Sequence, residues 1–217
     1  FTNEELGFWS LQALTHPNPP TQTGGWGRNE IDLFVAEKLK AAAIEPAPAA
    51  ADDVLVRRLY FDLLGVPPSP ADISEFQSQE TNDRWSKLVN RLLADSRYGE
   101  HWARYWLDVI RYAESDGFRA DFYRPEAWRF RDYVVNAFND DKPLDLFIHE
   151  QIAGDLLPFE NVERMREQII ATGYLAIGPW TLQNYIKGQL DADVVDHQID
   201  RIGRTFLAQT ISCARCH

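Results

Sequence analysis

The stretch Gly99-Glu100-His101-Trp102-Ala103-Arg104-Tyr105-Trp106-Leu107-Asp108-Val109-Ile110-Arg111-Tyr112-Ala113-Glu114-Ser115 decides what kind of fold this chain takes. Trp102, Trp106, Val109 and Ala113 recur at the three-and-four spacing of an α-helix with one face on a core. The other side carries His101, Arg104, Asp108, Arg111 and Ser115. A two-faced helix is expected over about 99–115, closed by the turn Ser115-Asp116-Gly117.

Helical signals continue in both directions. Downstream, a segment dense in arginine and aromatics (Phe118, Arg119, Phe122, Tyr123, Arg124) leads to a helix opened by Pro125, with Trp128, Phe130, Tyr133, Val134 and Phe138. Pro143 opens another, and Asn161 caps a third that is expected to run to about Ile177. Gly178 and Pro179 begin a loop to about Leu190. The last helix holds Val195, Ile199, Ile202 and Phe206 in register and is expected to lead directly into the chain's final residues.

Upstream, Thr81 or Asn82 opens a helix with Trp85, Leu88, Val89, Leu92 and Leu93. Ser69-Pro70-Ala71-Asp72 presents serine as cap, proline at the first position and an acid at the third. Asp52 opens a helix that Gly65 and Pro67-Pro68 stop. Asn29 caps one reaching Ile44. Before it, Pro17, Pro19, Pro20, Gly24, Gly25 and Gly27 break any period. The expectation is all-α: an irregular multi-helix domain over 29–217 behind an extended Pro- and Gly-rich arm over 1–28.

Of the 217 residues 45% are hydrophobic, and seven are tryptophan, enough for a substantial core. The net charge of −11 argues against nucleic acid and against anionic lipid as main partners, because both reward clustered Lys and Arg. The long uncharged run that includes Ile169 to Ile186 contains Gly173, Gly178, Pro179, Gln183 and Asn184, so no membrane span is expected. The first residues lack a basic, apolar leader, and the last is a candidate metal ligand. A mature chain or a piece of a larger multidomain protein is therefore expected.

The chain's two cysteines stand in its last five residues, Cys213-Ala214-Arg215-Cys216-His217. Two thiols three apart followed by an imidazole is the spacing of covalent c-type haem attachment. One helical turn brings both sulfurs to a common face, where they reach the two vinyl groups of one porphyrin edge. The histidine then offers a nitrogen to the iron. A zinc site would need two more ligands close by, and a redox-active thiol pair belongs in a βαβ setting. One covalent haem c on Cys213 and Cys216, with His217 as proximal iron ligand, is the expectation.

Further blocks carry a resemblance. Arg57-Arg58-Leu59-Tyr60-Phe61-Asp62-Leu63-Leu64-Gly65-Val66-Pro67-Pro68 is one, and Tyr98-Gly99-Glu100-His101-Trp102-Ala103-Arg104-Tyr105-Trp106-Leu107-Asp108-Val109-Ile110-Arg111-Tyr112 another. Phe138-Asn139-Asp140-Asp141-Lys142-Pro143 and Glu150-Gln151-Ile152-Ala153-Gly154-Asp155-Leu156-Leu157 add two, and the CxxCH ending a fifth. Together they resemble the planctomycete-type cytochrome c-like domain, a family of unknown function, over nearly the whole chain from about Trp9. The resemblance implies an exported haem protein with redox roles, in some cases near polysaccharide breakdown, and further domains on the same polypeptide. It brings no established reaction and no catalytic residues.

The sixth iron position stays open between His101, water, or a ligand from outside this sequence. If the last helix runs on into the motif, His197 lies roughly 30 Å from His217 at about 1.5 Å per residue, and is expected to be a solvated surface residue. Arg104, Asp108 and Arg111 are spaced for ion pairs on a wet helix face, or for a network that reaches haem propionates, which the arginine fork suits. The aromatics Phe118, Phe122, Tyr123 and Trp128 are expected to pack in the core, with stacking on sugar rings as the alternative.

Three functions are compatible with these residues. The first is an exported, periplasmic or similarly located c-type cytochrome module that passes single electrons between a redox partner protein, or a small-molecule donor or acceptor, and its haem. The second is an enzyme with an open iron site, peroxidase-like or oxidising a sugar. The third is a carbohydrate-binding or scaffold module with structural haem. The chain leans towards the first, an electron-transfer protein rather than an enzyme.

Overall fold

The computed structural model describes residues 2–21, 25–80, 82–117, 121–178 and 187–216, Lys187 by its main chain alone. Among them every named element is helical, and the single β-type contact is an isolated antiparallel bridge between Ser115 and Tyr123. The all-α expectation is met. No helix among the described residues is long and apolar enough to cross a membrane.

The chain divides into two compact units, Phe1–Ala51 and Asp52–His217. In the first, Thr2 and Glu5 form a capping box on α1 (Asn3–Leu6), and a 3₁₀ turn spans Trp9–Leu11. The Asn29 side chain accepts the Asp32 N–H at 2.9 Å, so it caps α2 (Glu30–Ala41) as its residue type suggests.

The second unit holds two apolar clusters. In one, α3 (Asp52–Leu64), α4 (Pro70–Ser78) and α5 (Arg84–Leu93) bury Val56, Tyr60, Leu64, Phe76, Leu88 and Leu92. Ser69 and Asp72 close a capping box on α4, satisfying N–H groups the helix itself cannot. The other cluster joins α6 (Arg97–Val109), α7 (Ala127–Asn139), α8 (Leu144–Ala153), α9 (Val162–Ala171) and α10 (Gly173–Ala176) around Ala103, Ile110, Phe130, Val134, Phe147 and Tyr174. From α11 (Lys187–Leu207), Ile202 and Phe206 pack onto it.

Helix α6 differs from the expected pattern in two ways. It stops at Val109 rather than Ser115, and its buried face is rotated by one residue. Gly99, Ala103 and Ile110 are inside, while Val109 is 53% exposed and Trp102 37%. The cause is the crossing with α7: a Cβ on Gly99 would lie 2.4 Å from the Val135 carbonyl oxygen. Small residues let two backbones approach, so the large ones are displaced to the flank. Trp106 still packs on the core, its indole N–H donating to Gln151 at 2.9 Å.

Several helices end on a left-handed residue that is not glycine: Ala43 (φ 54°), Arg111 (56°), Asp141 (47°) and Ala208 (52°). At the first three the following N–H reaches back five residues to a carbonyl, as in Tyr112 N to Leu107 O at 2.9 Å. At Ala208 the bond is one residue wider, Gln209 N to Gly203 O at 3.1 Å.

Beneath α7 a buried ionic group ties three elements together. The fully buried Glu150 accepts from Tyr133 Oη at 2.8 Å, from Lys142 Nζ at 2.7 Å and from Arg164, while Lys142 and Arg164 also hold Glu167. Two cations against two carboxylates balance the charge. Burial and the Glu150 carboxylate push the Tyr133 phenol far above its ordinary value, so it stays a donor.

Candidate functional site

The segment carrying the two cysteines does not continue α11. The helix ends at Leu207, Ala208 takes the left-handed turn, and the chain reverses. Ile211 then lies over Gly203, where an added Cβ would come within 2.9 Å of Ile211 Cδ1. A 3₁₀ turn comes next over Ser212–Arg215, with Cys216 N donating to Cys213 O at 3.2 Å. The expectation of a straight run into the motif is thus corrected. The separation reckoned from helical rise for His197 does not apply.

Arg215, the residue between the alanine and the second cysteine, fastens the reversed segment. Its guanidinium bonds the Asp193 carboxylate and, at 3.2 Å, Asp196 Oδ2, both on α11. Bonding to Arg215, and to Gln189 next, holds the Asp193 carboxyl below the usual aspartate value. With Arg215 directed at α11, Cys213 and Cys216 remain free and exposed on one turn. His217 lies outside the described residues.

Beside the motif is a hollow of about 280 Å³ between Val109, Ile110 and Arg111 at the end of α6, the α11 residues from Asp196 to Thr205, and Ser212. His197 lines it and is exposed, as expected of it. His101 is placed elsewhere: it packs against Gly65, where an added Cβ would meet its Nδ1 at 2.3 Å, and edge-on to Trp102 and Tyr105. Burial and the Arg104 charge lower its pKa. Along α6 it is eight residues, about 12 Å of rise, from Val109 at the hollow.

The polar stripe of α6 is divided. Arg104 and Asp108 line one hollow with Glu100, Tyr112, Arg131 and Asp132, while Arg111 lines the hollow beside the motif. The left-handed turn at Arg111 swings it off the helix face. The expected core role of the aromatic segment is also corrected: Phe122 is 60% exposed and Tyr123 67%, with Trp128 at 40%. Phe118 lies outside the described residues. Tyr123 lines another hollow, of about 570 Å³, together with Arg124, Arg129, Phe130, Ile169 and Ile177.

Arg201 is a site residue that no sequence motif marks. It is largely buried on the inner side of α11, donates to the Tyr174 carbonyl and rests against Gly178. Its neighbour Arg124 donates to Gly178 O at 2.6 Å and pairs with Asp116 at 2.6 Å. Burial, with the nearby Arg124 and Arg111 charges, lowers the Arg201 pKa against the Tyr174 contribution. Two buried atoms here, Arg124 Nη1 and Asp200 Oδ1, have no hydrogen-bond partner among the described residues.

An all-α body whose paired thiols are presented on a reversed turn is the class this fold and site define. The chain belongs to the PSCyt2 family, described as a protein of unknown function (DUF1549), which matches residues 30–217. The family name marks a cytochrome-like domain. Comparison with curated proteins and with solved structures gives no match.

Proposed function

We propose that this chain is an exported c-type haem module that passes single electrons. The observation that carries the reading is the presentation of Cys213 and Cys216: free, exposed, and on one turn that Arg215 clamps to α11. Covalent attachment needs both sulfurs accessible at once from one side, and a fixed turn lowers the ordering cost of closing two thioether bonds. The surroundings fit a group that carries carboxylates, since the guanidinium groups of Arg111 and Arg201 line the same hollow as Ser212 of the turn. Bound there, the haem would supply the one-electron couple, with His217 as its proximal ligand. The helical body would tune that couple through burial and charge. Thioether attachment occurs on the exported side of a membrane, which supports a periplasmic or equivalent location.

Production in a host competent for haem attachment tests this. The expected product is red, with a sharp α-band on reduction, and Cys213→Ala/Cys216→Ala removes the colour. A colourless wild-type protein from that host rejects the reading.

One observation favours a second reading, a carbohydrate-facing module. Tyr123 lines a hollow of about 570 Å³ with Arg124 and Arg129, and it and the preceding Phe122 are both exposed, an arrangement suited to stacking on sugar rings. Glycan binding that survives Cys213→Ala/Cys216→Ala and is lost in Tyr123→Ala supports it.

A further inference from the structure

A buried guanidinium without a counter-charge is costly, because the group cannot shed its proton to escape burial. Around the hollow beside the motif the charges are mostly matched. Arg204 holds Asp200 at 2.6 Å, Arg124 holds Asp116, and Arg215 takes both Asp193 and Asp196. Arg201, largely buried, is the exception: among the described residues no carboxylate pairs with it, nor with Arg111, which is exposed at the mouth of the same hollow and near enough for the two charges to interact. The residues outside the described set include no aspartate or glutamate, so none of their side chains supplies the missing charge. Among the described residues Arg201 donates to the neutral Tyr174 carbonyl, rests against Gly178 and lies over the Tyr174 ring face, 5.8 Å from the ring centre. Arg111 is also held at φ 56°, a conformation that side chains disfavour, and it lines the hollow from there.

We propose that Arg111 and Arg201 form a carboxylate receptor, and that its ligand is a propionate of the haem carried on Cys213 and Cys216. This rests on the haem reading of the motif. The two thioether bonds fix one edge of the ring at the turn, and the propionates leave from the opposite edge. Ser212, next to the first cysteine, and Arg111, on α6, both line the hollow, so a group tethered at the turn has the receptor within the same cavity. The planar guanidinium fork matches a carboxylate in two parallel hydrogen bonds. Neutralising the propionate removes a negative charge that would otherwise stabilise ferric over ferrous iron.

The test uses the full chain, loaded with haem in an attachment-competent host, and reads covalent haem content and midpoint potential at neutral pH. Arg111→Gly suits the left-handed backbone there and is expected to fold as well as the wild type; Arg201→Gln removes the buried charge. Each is expected to keep its haem and shift the ferric/ferrous equilibrium about tenfold towards ferric, about 59 mV for one electron. Haem-loaded variants with the wild-type potential overturn the receptor and leave the haem reading standing. A wild-type chain that takes up no covalent haem overturns the haem reading itself, and the receptor with it. Acetate titrated into wild-type holoprotein separates the two sources of carboxylate. An unchanged potential supports the propionate, and a saturable shift that Arg111→Gly abolishes shows a site for free carboxylates instead.

Discussion

Arg215 decides how the two thiols are presented, and its partners fix the pH range in which they stay so. The Asp193 carboxyl is held below its usual value by that bond, and a depressed carboxyl contributes stability above its unfolded pKa that is lost as pH falls through the folded one. The clamp is therefore expected to be closed at neutral pH and to open only below the ordinary aspartate range. Hydrogen exchange should show the Gln209, Ala214 and Cys216 amides, which donate to carbonyls, protected at pH 6 and 7, and Arg215→Ala should speed the exchange of Ala214 and Cys216 at the same pH while global unfolding stays unchanged. Equal exchange rates in the variant would remove the clamp from the account. Lys142 sets a second residue-scale expectation. Its charge meets the fully buried Glu150, so Lys142→Met leaves that carboxylate with one cation, Arg164, and the Tyr133 hydroxyl. A loss of about 3 kcal/mol in urea unfolding is expected, the lower end for breaking a buried pair.

Helix ends and helix crossings carry the differences between sequence and structure. Caps are legible: Asn29, Ser69 and Asn161 each accept the N–H expected of their residue types. Stops are legible only where glycine or proline marks them, as at Gly65. The turns at Arg111 and Ala208 leave no residue-type signal, because neither residue is of a type that favours the left-handed conformation; after Ala208 the downstream chain packs back on the helix, Ile211 over Gly203. That is why residue pattern alone carries α6 on to Ser115 and α11 into the motif. Faces differ from expectation for a related reason. On α11, Val195 and Ile199 are about half exposed, while Gln198 and Arg201 face inward to carbonyls of α10. Apolar periodicity does not register a polar contact face. Two substitutions test this level. Gly99→Ala improves helix propensity yet drives a Cβ into the Val135 carbonyl, so a net loss of about 1–3 kcal/mol is expected in thermal or urea unfolding. Ala208→Gly relieves a left-handed alanine, and a gain of up to about 1 kcal/mol is expected by the same measurements.

At the scale of the whole molecule, the second unit contains both apolar clusters, the ionic group around Glu150 and the motif. The first unit ends in the segment from Ala42 to Ala51, which has little regular structure, is largely exposed, and contains Pro46 and Pro48. Elastase is expected to cut there first and leave the helical signal of the second unit intact, as read by mass and circular dichroism. Early cuts within α6 or α7 would contradict the division. The proposed cofactor rests on five consecutive residues that can be read directly from the sequence, whereas Arg201, in the proposed receptor, comes from contacts with Tyr174 and Gly178 that no local pattern announces. A porphyrin bonded to Cys213 and Cys216 is what the proposed redox role stands on. Intact mass under denaturing conditions, on protein from an attachment-competent host, reads that bond. The polypeptide mass plus one haem is expected, returning to the polypeptide mass alone in Cys213→Ala/Cys216→Ala, and a wild-type chain at its bare polypeptide mass would rule the bonded haem out.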